Sequence, residues 1–258
     1  MREGRSISWK HTVLSVGVLT ALLTGCAVTQ PQNTPVRERL EMDPVTGRGY
    51  WLYVPSTYRH DKPAPLIVSC HGTPPFDVAE HHIREWKMLA EDNGCIVVAP
   101  ELVGTDGLIG DGPIVAMLTN ERLILSVISQ LAYRYNLDRA NMMITGFSGG
   151  GFPTYWIGLR HPELFNCVVA RNCNFSRHNL HGWYPSEATD IHIMVYYGQN
   201  DPSAIVAQSK QAVEYLRAND FRVETDVLPG AGHERRPEVA MRFFLEKRRR
   251  PEPTLPSQ

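Results

Sequence analysis

Residues 141–160 read NMMITGFSGGGFPTYWIGLR, and the serine near their centre, Ser148, stands among four glycines at 146, 149, 150 and 151. NMMITG is a short, mostly apolar run of the kind that forms a buried strand. GGFPTYWIGLR predicts a helix, which Pro162 ends. Ser148 therefore falls at a strand-to-helix turn in the pattern Gly146-Phe147-Ser148-Gly149-Gly150. Glycine loses more backbone freedom on folding than any other residue, so this density inside a domain requires positive φ or a close backbone approach. G-x-S-x-G in this setting is a turn built around one hydroxyl. Small neighbours let the chain bend sharply, the serine stays exposed at the end of the sheet, and the helix N-terminus supplies backbone N–H donors.

The same alternation runs through most of the chain. YWLYVP (50–55), PLIVSC (65–70), CIVVAP (95–100), NCVVA (166–170), IHIMVYYG (191–198) and FRVETDVL (221–228) read as strands. Between them DVAEHHIREWKMLAEDNG (77–94), NERLILSVISQLAYRYN (120–136) and SAIVAQSKQAVEYLRAND (203–220) read as helices, and RPEVAMRFFLEKRRR (236–250) closes the pattern. In the first helix Ile83, Trp86, Leu89 and Ala90 share one face and Gly94 is the stop. Apolar strands alternating with helices predict an α/β fold, a mostly parallel sheet covered by helices on both faces, over residues 46–250. The inserts at 101–113 and 171–190 read as loops, so no large helical cap is expected, and residues 251–258 form a tail.

A serine hydroxyl is a weak nucleophile near neutral pH and needs a general base, which in turn needs an orienting acid. Of the ten histidines, His233 in LPGAGHE (228–234) sits in a glycine-rich loop just past a strand. Asp201 in YYGQNDP (196–202) sits just past the preceding strand, with one helix between the two. Parallel strands all end at one edge, so both loops are expected at the edge that carries Ser148. The order Ser, Asp, His is also that of α/β-hydrolases. The competing reading of Asp201 is an N-cap of the helix that follows it, and Asp190 and Asp226 are the fallback acids.

YWLYVPSTY (50–58), PLIVSCHG (65–72), YNLDRANMMITGFSGGG (135–151), GQNDP (198–202) and GAGHE (230–234) occur in the order found in one group of enzymes. Over roughly residues 47–245 the chain resembles α/β-hydrolases, close to the feruloyl esterases and the polyhydroxyalkanoate depolymerase-like esterases. The resemblance implies Ser148, Asp201 and His233 as a catalytic triad working without metal or cofactor. It also implies an oxyanion hole made by the backbone N–H groups of Thr73, in the turn after HG, and of Gly149. Preorganised donors of this kind are worth ~2.7 to 4 kcal/mol each in the transition state. His71 then supports the loop and is not the base. Thr73-Pro74-Pro75 departs from the pattern, because many such esterases carry a further glycine or cysteine there.

The first residues carry a different signal. Arg2, Arg5 and Lys10 precede the apolar run TVLSVGVLTALL (12–23), which is shorter than the ~20 residues that span a bilayer. It ends in LTGC (23–26), which resembles the bacterial lipoprotein box. Residues 1–25 are then a signal peptide, Cys26 is the lipidated N-terminus, and residues 26–45 are a flexible tether. Ala27, where an aspartate would retain a lipoprotein at the inner membrane, favours the outer membrane in a host that has one. The remaining cysteines, Cys70, Cys95, Cys167 and Cys173, are expected as free, mostly buried thiols.

A net charge of −1, with EKRRR (246–250) as the one dense basic run, excludes a nucleic-acid footprint. His81-His82 and the HNLH stretch (178–181) read as solvated surface histidines and not as metal ligands. Trp183 and Tyr184 are candidates either to line an acyl or sugar pocket or to pack beneath a loop. The leading function is a cell-envelope serine esterase that cleaves short acyl or aromatic acid esters, small or carbohydrate-linked, through an acyl-enzyme. The alternatives are a prolyl-oligopeptidase-like peptidase and a non-catalytic envelope binding protein on a hydrolase scaffold.

Overall fold

The structure, a computed structural model, describes residues 38–106, 114–180 and 184–249. The segments expected as signal peptide (1–25) and, for the most part, as tether (26–45), together with Cys26, His181, Trp183 and residues 251–258, lie outside the described residues. Eight strands form one sheet: β1 (Glu38–Met42), β2 (Gly49–Tyr53), β3 (Ala64–Cys70), β4 (Ile96–Pro100), β5 (Leu137–Ser148), β6 (Cys167–Cys173), β7 (His192–Gly198) and β8 (Val223–Leu228). Their order across the sheet is β1-β2-β4-β3-β5-β6-β7-β8. β1 and β2 are antiparallel to each other, and β2 is antiparallel to β4; every pairing from β4 to β8 is parallel. The chain steps outward from β3 to β4 and then returns to the other side of β3 with β5. Loops leaving the C-terminal ends of β3 and β5 therefore diverge and open a crevice, the usual ligand position in an open α/β sheet.

Helices α1 (Ala79–Asn93) and α5 (Pro237–Glu246) cover one face, burying Ile83, Trp86, Phe243 and Phe244 against Ile67, Val97, Met143 and Val169. Helices α2 (Ile114–Arg134), α3 (Gly151–Arg160) and α4 (Ser203–Ala218) cover the other, burying Leu123, Val127, Trp156 and Leu216 against Leu66, Val68, Val98, Ile144 and Val168. Adjacent residues of a strand point to opposite faces, which is why Ile67 and its neighbours Leu66 and Val68 enter different cores. α1 stops where expected: Gly94 has φ 65° and its N–H bonds Ala90 O. Cys70, Cys95, Cys167 and Cys173 are free and buried.

The fold begins earlier than residue 46. β1 pairs with β2 from Glu38↔Tyr53 to Met42↔Gly49, around a turn closed by Asp43 N to Arg48 O (2.8 Å) with Gly47 at φ 67°. β1 is docked by polar contacts with α2, not by an apolar face: Arg134 Nη1 donates to Glu41 Oε1 (3.0 Å) and Ser126 Oγ to Asp43 Oδ1 (2.6 Å). β6 also runs past the expected end at Ala170, through Arg171 and Asn172, both fully buried. Arg171 is tolerated there because Nη1 lies 2.7 Å from Glu85 Oε1 and its guanidinium covers the Trp86 ring at 5.3 Å.

Candidate active site

Ser148 ends β5 with φ 52°, a left-handed conformation that costs a non-glycine residue ~1–3 kcal/mol. In this turn the positive φ belongs to the serine, and the glycines answer the other requirement, close approach. A Cβ on Gly146 would fall 2.3 Å from Gly150 O and from Thr154 Oγ1; one on Gly149 would fall 1.9 Å from Thr105 O. The bend is closed by Gly150 N to Phe147 O (2.8 Å), and α3 starts immediately after it.

The edge of the sheet brings the acid and the histidine together. Asp201, three residues past β7, is buried, and its Oδ1 lies 2.7 Å from His233 Nδ1. The helix-capping alternative for Asp201 is excluded, since the cap of α4 is Pro202 and no side chain caps it. Asp190 precedes β7 and Asp226 lies within β8, two residues before its end. The loops carrying Asp201 and His233 are laced by Asn200 N to Ala231 O (2.8 Å), and a Cβ on Gly198 would meet Gly232 O at 2.3 Å. His233 keeps 31% of its side chain exposed and its ring stacks on Phe147 at 4.6 Å, tilted by 36°. Ser148, His233, Phe147, Thr73, Phe76, Asp77, Glu234 and Arg235 line one open cleft of about 630 Å³. An Nδ1–H donated to Asp201 leaves Nε2 of His233 as the unprotonated nitrogen, the form that can take a proton from a serine.

The loop after β3 is braced at several points, and the bracing leaves two donors unused. Thr73 Oγ1 donates to Thr105 O (2.8 Å), Thr105 Oγ1 to Gly72 O (2.7 Å), and Gly72 N to Asp77 Oδ2 (2.7 Å). Thr105 thus places the start of the 101–113 insert beside the cleft. Among the described residues no hydrogen bond takes the backbone N–H of Thr73 or of Gly149. The two residues are neighbours, since Thr73 Oγ1 lies 3.1 Å from the position a Cβ on Gly149 would take. His71 is buried beneath the loop: its Nε2 accepts from Leu102 N (2.9 Å), so its Nδ1 donates to Gly72 O (2.8 Å). Burial holds this imidazole neutral by pushing its pKa down to about 4.

The structure corrects the reading of His82. It is fully buried, with Nε2 at 2.9 Å from Asp77 Oδ2 and Nδ1 at 2.6 Å from Ser69 Oγ. Trp86 Nε1 (2.8 Å) and Arg171 Nη2 (3.3 Å) both donate to Ser69 Oγ, and neither can accept. The single Ser69 proton therefore goes to His82 Nδ1, and His82 Nε2–H goes to Asp77. Arg235 Nη2 donates to Asp77 Oδ1 (2.6 Å), which joins the loop after β3 to the loop that carries His233. Burial alone would raise the Asp77 pKa; the bonds from His82, Gly72 and Arg235 outweigh it and hold the carboxyl well below its usual range. Two carboxylates (Asp77, Glu85) and two guanidiniums (Arg171, Arg235) balance in this buried network. No periodic signal marks such a cluster, because its members come from β3, α1, β6 and the last loop.

Other expectations fall elsewhere. Tyr184 is not at the Ser148 cleft but packs on Phe221 (5.1 Å between rings). His178 is exposed. Among the described residues no group of three His, Cys, Asp or Glu side chains converges as a metal site would require.

A mostly parallel sheet of this order, with a serine at a tight strand-to-helix turn after β5 and an acid and a histidine after β7 and β8, defines an α/β-hydrolase. More narrowly, the chain belongs to the phospholipase/carboxylesterase family, whose profile matches residues 116–247. It is 24% identical over 267 residues to dipeptidyl-peptidase 5 of Porphyromonas endodontalis, covering 85% of this chain and 38% of that protein's length. It is 29% identical over 109 residues to a bifunctional acetylxylan esterase/xylanase of Neocallimastix patriciarum, covering 42% of this chain and 15% of that one. The chain thus spans well under half the length of these two curated relatives. Its fold matches a ferulic acid esterase from Anaeromyces mucronatus, solved with ferulic acid, with a TM-score of 0.62 at 19% identity over 81% of this chain and 87% of that one.

Proposed function

We propose that the protein is a serine hydrolase of carboxylic esters, with Ser148 as nucleophile, His233 as general base and then general acid, and Asp201 as the carboxylate that orients the imidazole. The observation that carries the reading is the 2.7 Å bond from His233 Nδ1 to Asp201 Oδ1 beside a serine held at φ 52° in the same cleft. Ser148 Oγ attacks the ester carbonyl as its proton passes to His233 Nε2. The oxyanion forms against the backbone N–H groups of Thr73 and Gly149, which no hydrogen bond among the described residues takes. His233 returns the proton to the leaving alkoxide, and a water then releases the acyl group by the same steps in reverse.

The cleft supports esters of short or aromatic acids. It is open, Phe76 at its rim is 82% exposed, and Phe147 offers a second aromatic surface. A panel of p-nitrophenyl esters is expected to give falling kcat/KM from acetyl and butyryl to palmitoyl, with feruloyl esters cleaved as well. Rates that climb steadily to palmitoyl would contradict the reading. Likeness to dipeptidyl-peptidase 5 supports a peptidase as the second reading, and dipeptidyl p-nitroanilides cleaved faster than any ester would favour it.

We further propose that the enzyme is anchored in a bacterial envelope through lipid on Cys26. The support is the charged, apolar and LTGC segments of residues 1–26. Each buried CH₂ of an acyl chain contributes ~0.8 kcal/mol, so two or more chains give a stable anchor. Labelled palmitate is expected to enter the wild-type protein and not Cys26→Ser, which accumulates as the longer precursor. Absence of label from the wild type would remove this proposal and leave the catalytic one intact.

A further inference from the structure

From the geometry behind the acid we infer that Asn172 is a positioning residue for catalysis, one that aims Asp201 at His233 and ties both to the end of β6. This inference rests on the serine hydrolase reading above. Between β5 and β6 the register runs Phe147↔Arg171 and then Ser148↔Cys173, so Asn172 is an extra residue bulged out of β6 directly beside the nucleophile. Bulges next to active sites re-aim side chains. This one turns Asn172 toward Asp201: Nδ2 lies 2.6 Å from Asp201 Oδ2 and 3.1 Å from Gly232 O. Both neighbours are acceptors, so the amide must present its NH₂ group to them. One fork thus holds the acid and the residue immediately before His233.

The price of this arrangement is visible in the residue itself. Asn172 has φ 51°, is fully buried, and its Oδ1 has no hydrogen-bond partner among the described residues. Ser148 and Asn172, side by side on neighbouring strands, are two of the four non-glycine residues described with positive φ. A strained backbone and an unsatisfied buried acceptor at one position persist only where the surroundings or the function require them. With Oδ2 occupied by Asn172, the other oxygen of Asp201 is the one left to face His233.

The test is a double-mutant cycle read by the rate of labelling with a small fluorophosphonate and by kcat on p-nitrophenyl acetate. Asn172→Gly keeps the left-handed conformation and removes the amide. It is expected to lower both rates about 10- to 100-fold, the range for losing a hydrogen bond to a charged group, with KM little changed. In the Asp201→Asn background the same substitution is expected to cost nothing or to restore part of the rate, since the carboxylate it aims is gone and the amide no longer fixes the side chain at 201 with its NH₂ toward His233. A purely structural role would cost the same in both backgrounds, and that result overturns the inference, as does an Asn172→Gly enzyme labelled at the wild-type rate. Should Asn172→Gly fail to fold by circular dichroism, Asn172→Leu decides. It is nearly isosteric, has neither donor nor acceptor, and is expected to lose at least as much; wild-type labelling by it overturns the inference. A wild-type protein that fluorophosphonate does not label removes the hydrolase reading and this inference together, whereas a labelled wild type with an equally labelled variant removes only the latter.

Discussion

Ser148→Ala is expected to lower kcat on p-nitrophenyl acetate by about 10⁶ and to abolish fluorophosphonate labelling, while the protein stays folded. The magnitude is that of removing the nucleophile from a triad, where the remaining groups have no attacking atom to serve. Residual turnover of ~10³ to 10⁴ over water is expected from the oxyanion donors alone, since Thr73 and Gly149 keep their N–H groups. A second substitution separates chemistry from architecture. Ser148→Gly places at φ 52° the one residue that adopts it without strain, so its melting temperature is expected to equal or exceed that of the wild type with activity still absent. Ser148→Ala retaining even a hundredth of wild-type kcat would show that another group attacks the ester.

Asp201→Asn is expected to cost about 10⁴ in kcat at pH 7, and the structure supplies the reason. The NH₂ of Asn172 faces one oxygen of Asp201 at 2.6 Å. An asparagine at 201 must turn its own carbonyl to that donor, which points its NH₂ at His233 Nδ1. His233 then accepts at Nδ1 and carries its proton on Nε2, where it cannot take the proton of Ser148. Because the cap of α4 is Pro202, the change removes no helix cap, and the melting temperature is expected to move by only a few degrees. Asp190→Asn and Asp226→Asn are expected to keep most of their activity. An active Asp201→Asn beside an inactive Asp226→Asn would reassign the acid.

How much of this was legible beforehand follows from the range of each interaction. Alternating strands and helices, the turn at Ser148, the stop at Gly94 and the positions of Asp201 and His233 just past two strands are local patterns. A parallel sheet then carries those loop residues to one edge without further information. What the sequence left open depends on residues far apart in the chain. β1 is polar and carries no apolar alternation; it is a strand because β2 pairs with it and Arg134 binds Glu41, 93 residues away. His82, beside the half-exposed His81, reads as a surface histidine, and burial becomes tolerable only where Ser69 and Asp77 meet both its nitrogens. Arg171 and Asn172 read as the start of a polar loop, and they are interior because Glu85 neutralises the one and Asp201 with Gly232 receives the amide of the other. Patterns of apolar residues report on burial driven by water, which is local and additive along a strand or helix. A buried polar group is admitted only by its partners, and their positions exist only once the chain has folded. Local pattern was therefore enough for the apolar strands and helices, the turn at Ser148 and the two loops that bring Asp201 and His233 to its edge; the polar edge strand β1 and the buried polar side chains that hold those residues in line depend on contacts made only in the folded chain.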